Sequence, residues 1–521
     1  MTRESVRSPV PAVVWWVASI VVALRMLPWI VGSLTDAGPD KVFIPAMFVS
    51  DDFAQYAAMI RQTGEDHAFL LNNPFTTEAQ QPRFVLLFFE ALGLVQRATG
   101  LSALTVLELS RIPLIVAFFV CWWRFIEAVI SDPRARLWAL WLTALGGGLD
   151  YIPWGVANFC PPAVADFIRI NVYTYNGWSF FGQVQNPIWL AAWLLALPIL
   201  KRVLQPHGPS ERWDPLIIFA CFVTLAFTHP YTALFVGVLS AVLGVLRRKS
   251  VLRSWIPLGL GALLVAGVTA WQMQDAVFRK SAGGLLGDRN SWCIWYPFTL
   301  GAVGVFAWLG WKKWSSDAHP WKAGIFAWVV CASILHQSPF TNGYKFIMYL
   351  FLPLVLLAAE PLSEAISRWR TSGGAAGRWK SALVIFLIFS SAPITAARSI
   401  SKEELDGSRF SAEAWSVVQW FKTQPAARVY CSEEIGLLLP AFTPHHTYMG
   451  HSFLTPNYFN RVVRYVRQMN NPDDHAAELR KIIQNDNIEY AVVPAKLAVK
   501  FEELLSGKTV FKTEQWAVLT F

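Results

Sequence analysis

The chain runs apolar, again and again, for about the thickness of a lipid bilayer. Such stretches cover roughly 10–34, 107–130, 136–152, 186–203, 254–272, 293–311, 320–336, 344–360 and 381–397. A hydrocarbon core of about 30 Å needs about 20 apolar residues of helix to cross it. Backbone polar groups find no water there, so helices or closed barrels are the forms that cross. One more stretch, 216–246, is too long for a single span and contains His229-Pro230. Proline removes a helix donor and clashes with the preceding turn, so the segment reads as two short helices turning at Thr228–Tyr231. The sum is about eleven crossings.

Composition agrees where it bears on this. Only 15% of the residues are charged, against about 25% in an ordinary soluble domain. Many of the 26 tryptophans stand near the ends of apolar runs, where an amphipathic ring sits at headgroup level. The first run follows Arg3 and Arg7. It is too long for the apolar core of a cleaved signal peptide and no A-x-A site follows it, so it reads as a retained helix. The six cysteines form no CxxC pair and show no metal-ligand spacing.

The formal charge of +9 is unevenly placed. From Arg398 onward there are 14 basic and 14 acidic residues, so the excess belongs to the apolar part. Basic residues cluster at Arg124/Arg134/Arg136, Lys201/Arg202/Arg212, Arg247/Arg248/Lys249/Arg253, Lys312/Lys313 and Arg368/Arg370/Arg378/Lys380. Clusters beside spans mark cytoplasmic loops and speak against a nucleic-acid partner. With all of them inside, the N-terminus is cytoplasmic. Loops 35–106, 150–185, 273–292 and 337–343, the His229 turn and the chain after 397 then face outward. Residues 83–97 are apolar but too short to span, and are expected as an interfacial or partly inserted helix. Counting them, with a compensating crossing in 153–170, raises the total to twelve or thirteen.

The first outward loop carries Ser50-Asp51-Asp52-Phe53-Ala54-Gln55-Tyr56. Ser50 or Asp51 can cap a helix, and carboxylates suit its positive end. Asp52 and Tyr56, four apart, share a face, while Phe53, Ala57 and Ile60 form an apolar face toward the membrane surface. Other polar residues recur at outer helix ends: Arg83, Asn176, Gln183, Asn186, His229, Tyr231, His336, Asn342, Tyr344 and Lys345. Each alone is satisfied by a core role. Together, at membrane depth where ionisable groups are costly, they suggest a shared polar cavity. A carboxylate base with one or two cations, open to lipid, suits sugar transfer from a lipid-linked phosphate. The cations hold the departing phosphate and the carboxylate takes the acceptor's proton. One displacement inverts the anomeric carbon.

These residues resemble the GT-C superfamily of membrane glycosyltransferases, near the bacterial relatives of protein O-mannosyltransferases and aminoarabinose transferases. Asp51-Asp52 followed by Tyr56 is similar to the family's acidic pair, which is often Asp-Glu. Pro82-Arg83 resembles its basic-Pro-Pro element with the order changed. Tyr344-Lys345-Phe346 through Pro353-Leu354 looks like its late helix with a basic outer end. The resemblance implies an inverting glycosyltransferase with a polyprenyl-phosphate sugar donor and an extracytoplasmic lipid, glycan or protein acceptor. It implies a place in the bacterial inner membrane, among membrane lipid. Asp51 or Asp52 is then the base. Arg83 and Lys345 contact the donor phosphate, and Tyr56, His229, Tyr231 and Tyr344 line the substrate site. No cofactor is required; in some members of the family the external carboxylates hold a divalent metal, which stays open here, although no cage for one is indicated.

The domains divide at 397/398: a GT-C-like membrane domain, 1–397, with its first external loop 35–82 catalytic, and a soluble α/β domain, 398–521. Helices are expected at 412–422, 460–469 and 475–483, and short buried strands at 428–431 and 488–493. Segment 436–458 carries His445, His446 and His451 among aromatics and is expected to bind the acceptor. The rival reading is a transporter or flippase for a lipid-linked or anionic substrate. It calls for an internal repeat with paired broken helices, and the sequence shows none.

Overall fold

A computed structural model describes residues 9–44, 50–149, 151–165, 168, 179–205, 214–247, 252–284, 296–317, 319–338, 343–372 and 374–521. The helices used below are α1 (Ala12–Leu34), α2 (Ser50–Gly64), α3 (Leu87–Thr99), α4 (Ala103–Val129), α5 (Pro133–Leu145), α6 (Pro187–Leu204), α7 (Asp214–Thr228), α8 (Pro230–Arg247), α9 (Leu252–Gln272), α10 (Ala276–Gly284), α11 (Tyr296–Ser316), α12 (Lys322–His336), α13 (Phe351–Thr371), α14 (Ala375–Phe389), α15 (Ser391–Ser399), α16 (Ala412–Phe421), α17 (Glu433–Phe442), α18 (Tyr458–Asn470), α19 (Ala476–Asn485) and α20 (Ala498–Leu505). The strands are β1 (Lys41–Phe43), β2 (Arg409–Ser411), β3 (Arg428–Tyr430), β4 (His446–Thr447), β5 (Tyr490–Pro494), β6 (Lys508–Lys512) and β7 (Trp516–Thr520).

Every apolar run read from the sequence carries helix. Five helices among the described residues are long and apolar enough to cross a membrane, within Ala12–Leu34, Ala103–Val129, Pro187–Leu204, Trp255–Gln272 and Lys345–Thr371. A sixth span results if α14 and α15, bent by 41°, are one. Helices α7, α8 and α12 are apolar but shorter. Local chemistry sets several ends. The Asp132 carboxylate accepts from the N–H groups of Arg134 and Ala135, with Pro133 in the first turn of α5. Asn186 caps α6 in the same way, ahead of Pro187. His229 separates α7 from α8, as the His-Pro pair dictates.

The chain forms two compact units. The first comprises 1–27, 111–264 and 288–399. Its hub is α13, which packs against α5, α11 and α14. A Cβ at Gly310 of α11 would lie 1.8 Å from the Leu357 carbonyl oxygen, so only glycine allows that approach. Trp122, Trp193, Trp328 and Tyr349 are fully buried in this unit.

The second unit comprises 28–110, 265–287 and 400–521. It differs from a division at 397/398, because the described part of segment 35–82 is built into the C-terminal fold. Strand β1 pairs antiparallel with β2, α2 packs on α17, and the Thr447 N–H donates to the Pro74 carbonyl. The sheet order is β4-β3-β5-β7-β6. Strand β3 is parallel to β4 and β5, while β7 is antiparallel to β5 and β6. Tyr430, Tyr448, Met449, Tyr465, Leu479 and Phe501 pack its core with Ala491 and Leu519.

Helix α3 begins after residue 83 and has 13 residues. Its partner is α2. A Cβ at Gly93 would fall 2.5 Å from the Thr63 Cβ and 2.7 Å from the Ile60 carbonyl oxygen, so the two helices meet backbone to backbone. The face of α2 expected to lie on the membrane is covered by protein instead. Phe53, Ala57 and Ile60 are buried, and α3 and α17 are the helices packed on α2. Amphipathic periodicity fixes which face is covered but not what covers it.

Candidate active site

Asp52 lies in the first turn of α2, where the exposed N–H groups favour a carboxylate. Its side chain is 35% exposed. The Tyr56 hydroxyl, one turn on, donates to Asp52 Oδ2 at 3.5 Å. The Tyr56 ring is stacked on Phe89 of α3 at 4.7 Å, which fixes where that hydroxyl points. Asp52 Oδ1 faces His451 Nε2 at 3.5 Å. Asp51 belongs to the same turn, but its side chain lies outside the described residues. Of that acidic-pair-then-tyrosine pattern, Asp52 and Tyr56 come together, and the sequence did not reveal the histidine facing the carboxylate.

Arg83, in the same unit, sits at the C-terminal end of α9. It donates to the Trp271 carbonyl, to Gln274 Oε1 at 3.3 Å and to Gln81 Oε1 at 2.8 Å. Its guanidinium carbon stands 5.1 Å from the Trp271 ring centroid. A cation here complements the negative end of the helix. Its Nε is buried and has no hydrogen-bond partner among the described residues.

The remaining expected residues gather in the first unit. His229 Nδ1 and Thr232 Oγ1 are 2.7 Å apart, and Thr232 Oγ1 is 2.7 Å from the Tyr349 hydroxyl. The Trp189 ring packs on His229 at 4.2 Å. Lys345 Nζ stands 4.4 Å over the Tyr231 ring, a cation–π contact. Tyr344 belongs to the 3-10 turn Gly343–Tyr349, and its side chain lies outside the described residues. The turn is fixed by Gln183 Nε2, which donates to the Met348 carbonyl at 2.9 Å, and by Trp328 Nε1, which donates to the Tyr349 carbonyl at 2.8 Å. Gln183 also accepts from Trp193 Nε1 at 2.8 Å. Gln183 and Asn186 thus hold structure, while Asn176 and Asn342 lie outside the described residues.

The three histidines of the C-terminal loop go separate ways. His445 Nδ1 accepts from the Ala427 N–H at 3.0 Å, and Nε2 lies 3.0 Å from the Phe421 carbonyl, which makes it a strut. His446 begins β4. His451 turns to Asp52. No group of three or more His, Cys, Asp or Glu able to hold a metal occurs among the described residues. Beside the loop lies a polar cavity of about 470 Å³, lined among others by Glu78, Tyr448, Asn457, Arg461, Arg464 and Glu478.

Burial lowers the basicity of both strut-side histidines, His446 down to about 4 from its ordinary 6.5. Between those values the unfolded chain takes up a proton that folded His446 refuses. Stability is therefore flat above pH 6.5 and falls as the pH drops toward 4. The loss between pH 7 and 5 is expected to reach at most about 2 kcal/mol, since His446 keeps some solvent contact. Thermal unfolding against pH checks this, and His446→Asn should flatten the profile.

No family model matches the chain, and no curated protein does. Solved structures do. ArnT from Cupriavidus metallidurans in the apo state is 14% identical at a TM-score of 0.52, with 98% of each chain covered. The oligosaccharyltransferase of Archaeoglobus fulgidus, tethered to an acceptor peptide containing the NVT sequon, is 14% identical at a TM-score of 0.50. That match covers 95% of this chain and 70% of the other. Its apo form gives the same figures. The likeness is one of fold, and the fold this chain carries is that of the GT-C membrane glycosyltransferases.

Proposed function

We propose that the chain is an integral membrane glycosyltransferase. It moves a sugar from a polyprenyl-phosphate donor to an extracytoplasmic hydroxyl acceptor, with inversion. The observation that carries this reading is the Asp52 carboxylate, faced on one oxygen by Tyr56 and on the other by His451, in a chain of glycosyltransferase fold. In the reaction the acceptor oxygen forms a bond to the anomeric carbon. The bond from that carbon to the phosphate oxygen breaks, its electron pair leaving with the polyprenyl phosphate. The acceptor proton passes to Asp52.

The donor-phosphate role proposed for Arg83 and for Lys345 rests on their charge. The Arg83 guanidinium, whose Nε has no hydrogen-bond partner among the described residues, and the Lys345 ammonium over Tyr231 supply the charge that anionic oxygens call for. His229, Tyr231 and Tyr344 line the donor side. The acceptor side is drawn from the loop 436–458, whose Tyr448 and Asn457 line the polar cavity. Eleven crossings, a cytoplasmic N-terminus and a bacterial inner-membrane location complete the reading. A lipid, a glycan or a protein can present such a hydroxyl.

Native mass spectrometry of the detergent-purified chain tests the donor. A polyprenyl monophosphate or its glycoside should co-purify, and Lys345→Ala or Arg83→Ala should each lower its occupancy about tenfold. A chain that carries no polyprenyl lipid, or holds it regardless of both cations, overturns the donor site and favours the transporter reading.

A further inference from the structure

His451 is 2% exposed, and its protonation pattern is legible from its partners. Nδ1 accepts from the backbone N–H groups of Phe453 at 3.1 Å and Leu454 at 3.2 Å. A ring nitrogen that accepts carries no hydrogen, so the neutral ring holds its proton on Nε2. That nitrogen is buried and has no hydrogen-bond partner within ordinary reach among the described residues. What it faces is Asp52 Oδ1, at 3.5 Å. The contact is longer than an ordinary hydrogen bond.

The ring cannot easily turn away. Phe75 packs on it with centroids 5.6 Å apart. The loop behind it is tied down by Asn73 Nδ2 and Ser281 Oγ, which donate to the Leu454 carbonyl at 2.7 and 3.1 Å. The Gly450 N–H donates to Thr455 Oγ1 at 3.1 Å. A buried ring nitrogen held this firmly, 3.5 Å from one carboxylate oxygen, has a positional use. Tyr56 faces the other oxygen.

We propose that His451 is a positioning residue for the transfer reaction: its Nε2–H holds the Asp52 carboxylate in the orientation that receives the acceptor's proton. This rests on the reading of Asp52 as the base. The C-terminal fold thereby supplies part of the working site, since His451 comes from the loop after β4 and Asp52 from the first turn of α2. Orientation of the base acts on the transfer step and leaves donor affinity untouched.

Two replacements separate positioning from scaffolding. Asparagine puts an acceptor where Nδ1 is and nothing where Nε2 is. Glutamine reaches the Nε2 place with an N–H but offers nothing at Nδ1. The full-length chain in nanodiscs would be assayed for release of undecaprenyl phosphate from a panel of undecaprenyl-phosphate glycosides. His451→Asn is expected to keep its thermal midpoint and its donor KM within twofold while kcat falls about 30-fold. His451→Gln is expected to lose stability yet keep kcat within about threefold of wild type while folded. Wild-type kcat in His451→Asn alongside an inactive Asp52→Asn would overturn the positioning role and leave the base in place. A fully active Asp52→Asn would remove the base and the positioning role with it. Independently of any substrate, the imidazole ¹⁵N shifts of His451 should show a protonated Nε2 and a bare Nδ1. The opposite tautomer overturns the inference.

Discussion

Asp52→Asn is expected to lower kcat for sugar transfer by about 10³-fold, with thermal unfolding nearly unchanged. Asparagine has the carboxylate's shape, and its one carbonyl oxygen can face His451 while its amide donates to the Tyr56 hydroxyl, so the packing of α2 on α3 and α17 is preserved. What it cannot do is take a proton from the attacking hydroxyl. The stability cost is limited to the charge at a helix N-terminus, at most about 1 kcal/mol. Asp51→Asn is the matched comparison, one residue away in the same turn, and a milder loss is expected there. The readout is release of polyprenyl phosphate at saturating donor. Should Asp51→Asn be inactive and Asp52→Asn active, the base moves to Asp51. Full activity in the double variant would dismiss the acidic pair from catalysis.

The second large effect is structural. A Cβ on Gly436 in α17 would lie 1.8 Å from the Met449 carbonyl oxygen, and one on Gly450 would lie 2.4 Å from the Gly436 carbonyl oxygen. Helix and loop meet backbone to backbone just before His451. Backbone atoms cannot swing aside as a flexible side chain can, so Gly436→Ala must push the loop away. The expected cost is about 3 kcal/mol or more, the upper end for overpacking. A displaced loop also carries His451 from Asp52, so activity should fall further than the folded fraction. Gly374→Ala is the control, because nothing lies within 4 Å of its added Cβ. A Gly436→Ala chain with an unchanged thermal midpoint would show that the loop can yield.

Local chemistry was legible before any coordinates. Apolar runs of bilayer length became helices because backbone groups in lipid have only each other to bond. The His229-Pro230 break, the Asn186-Pro187 start of α6, the helices at 412–422, 460–469 and 475–483, and the strands at 428–431 and 488–493 all follow from neighbours in sequence. The helix after residue 83 was also visible, though not its partner. Other parts escaped: α17, which carries Pro440 inside it, α20 and the antiparallel pair β6–β7.

The candidate site divides along the same line. Asp52 and Tyr56 stand one helical turn apart, so their association is written in the spacing. Tyr231 and Lys345 meet through tertiary packing, although each could be picked out as a polar residue near a helix end. His451 was visible only as one of three histidines in an aromatic loop, and nothing in its surroundings distinguished it from His445, which is a strut. About 400 residues separate it from Asp52. Short-range pattern is enough to say where the chain is helical, which stretches suit a membrane, and that a carboxylate opens α2. Long-range packing instead builds the described part of segment 35–82 into the C-terminal fold and turns His451, rather than its neighbours, to that carboxylate. The physical reason is that periodicity and capping act over a few residues, whereas these contacts depend on which backbone surfaces can approach. That approach is set by glycines such as Gly93, Gly436 and Gly450 and by pairings such as β1 with β2, across separations that no local pattern encodes.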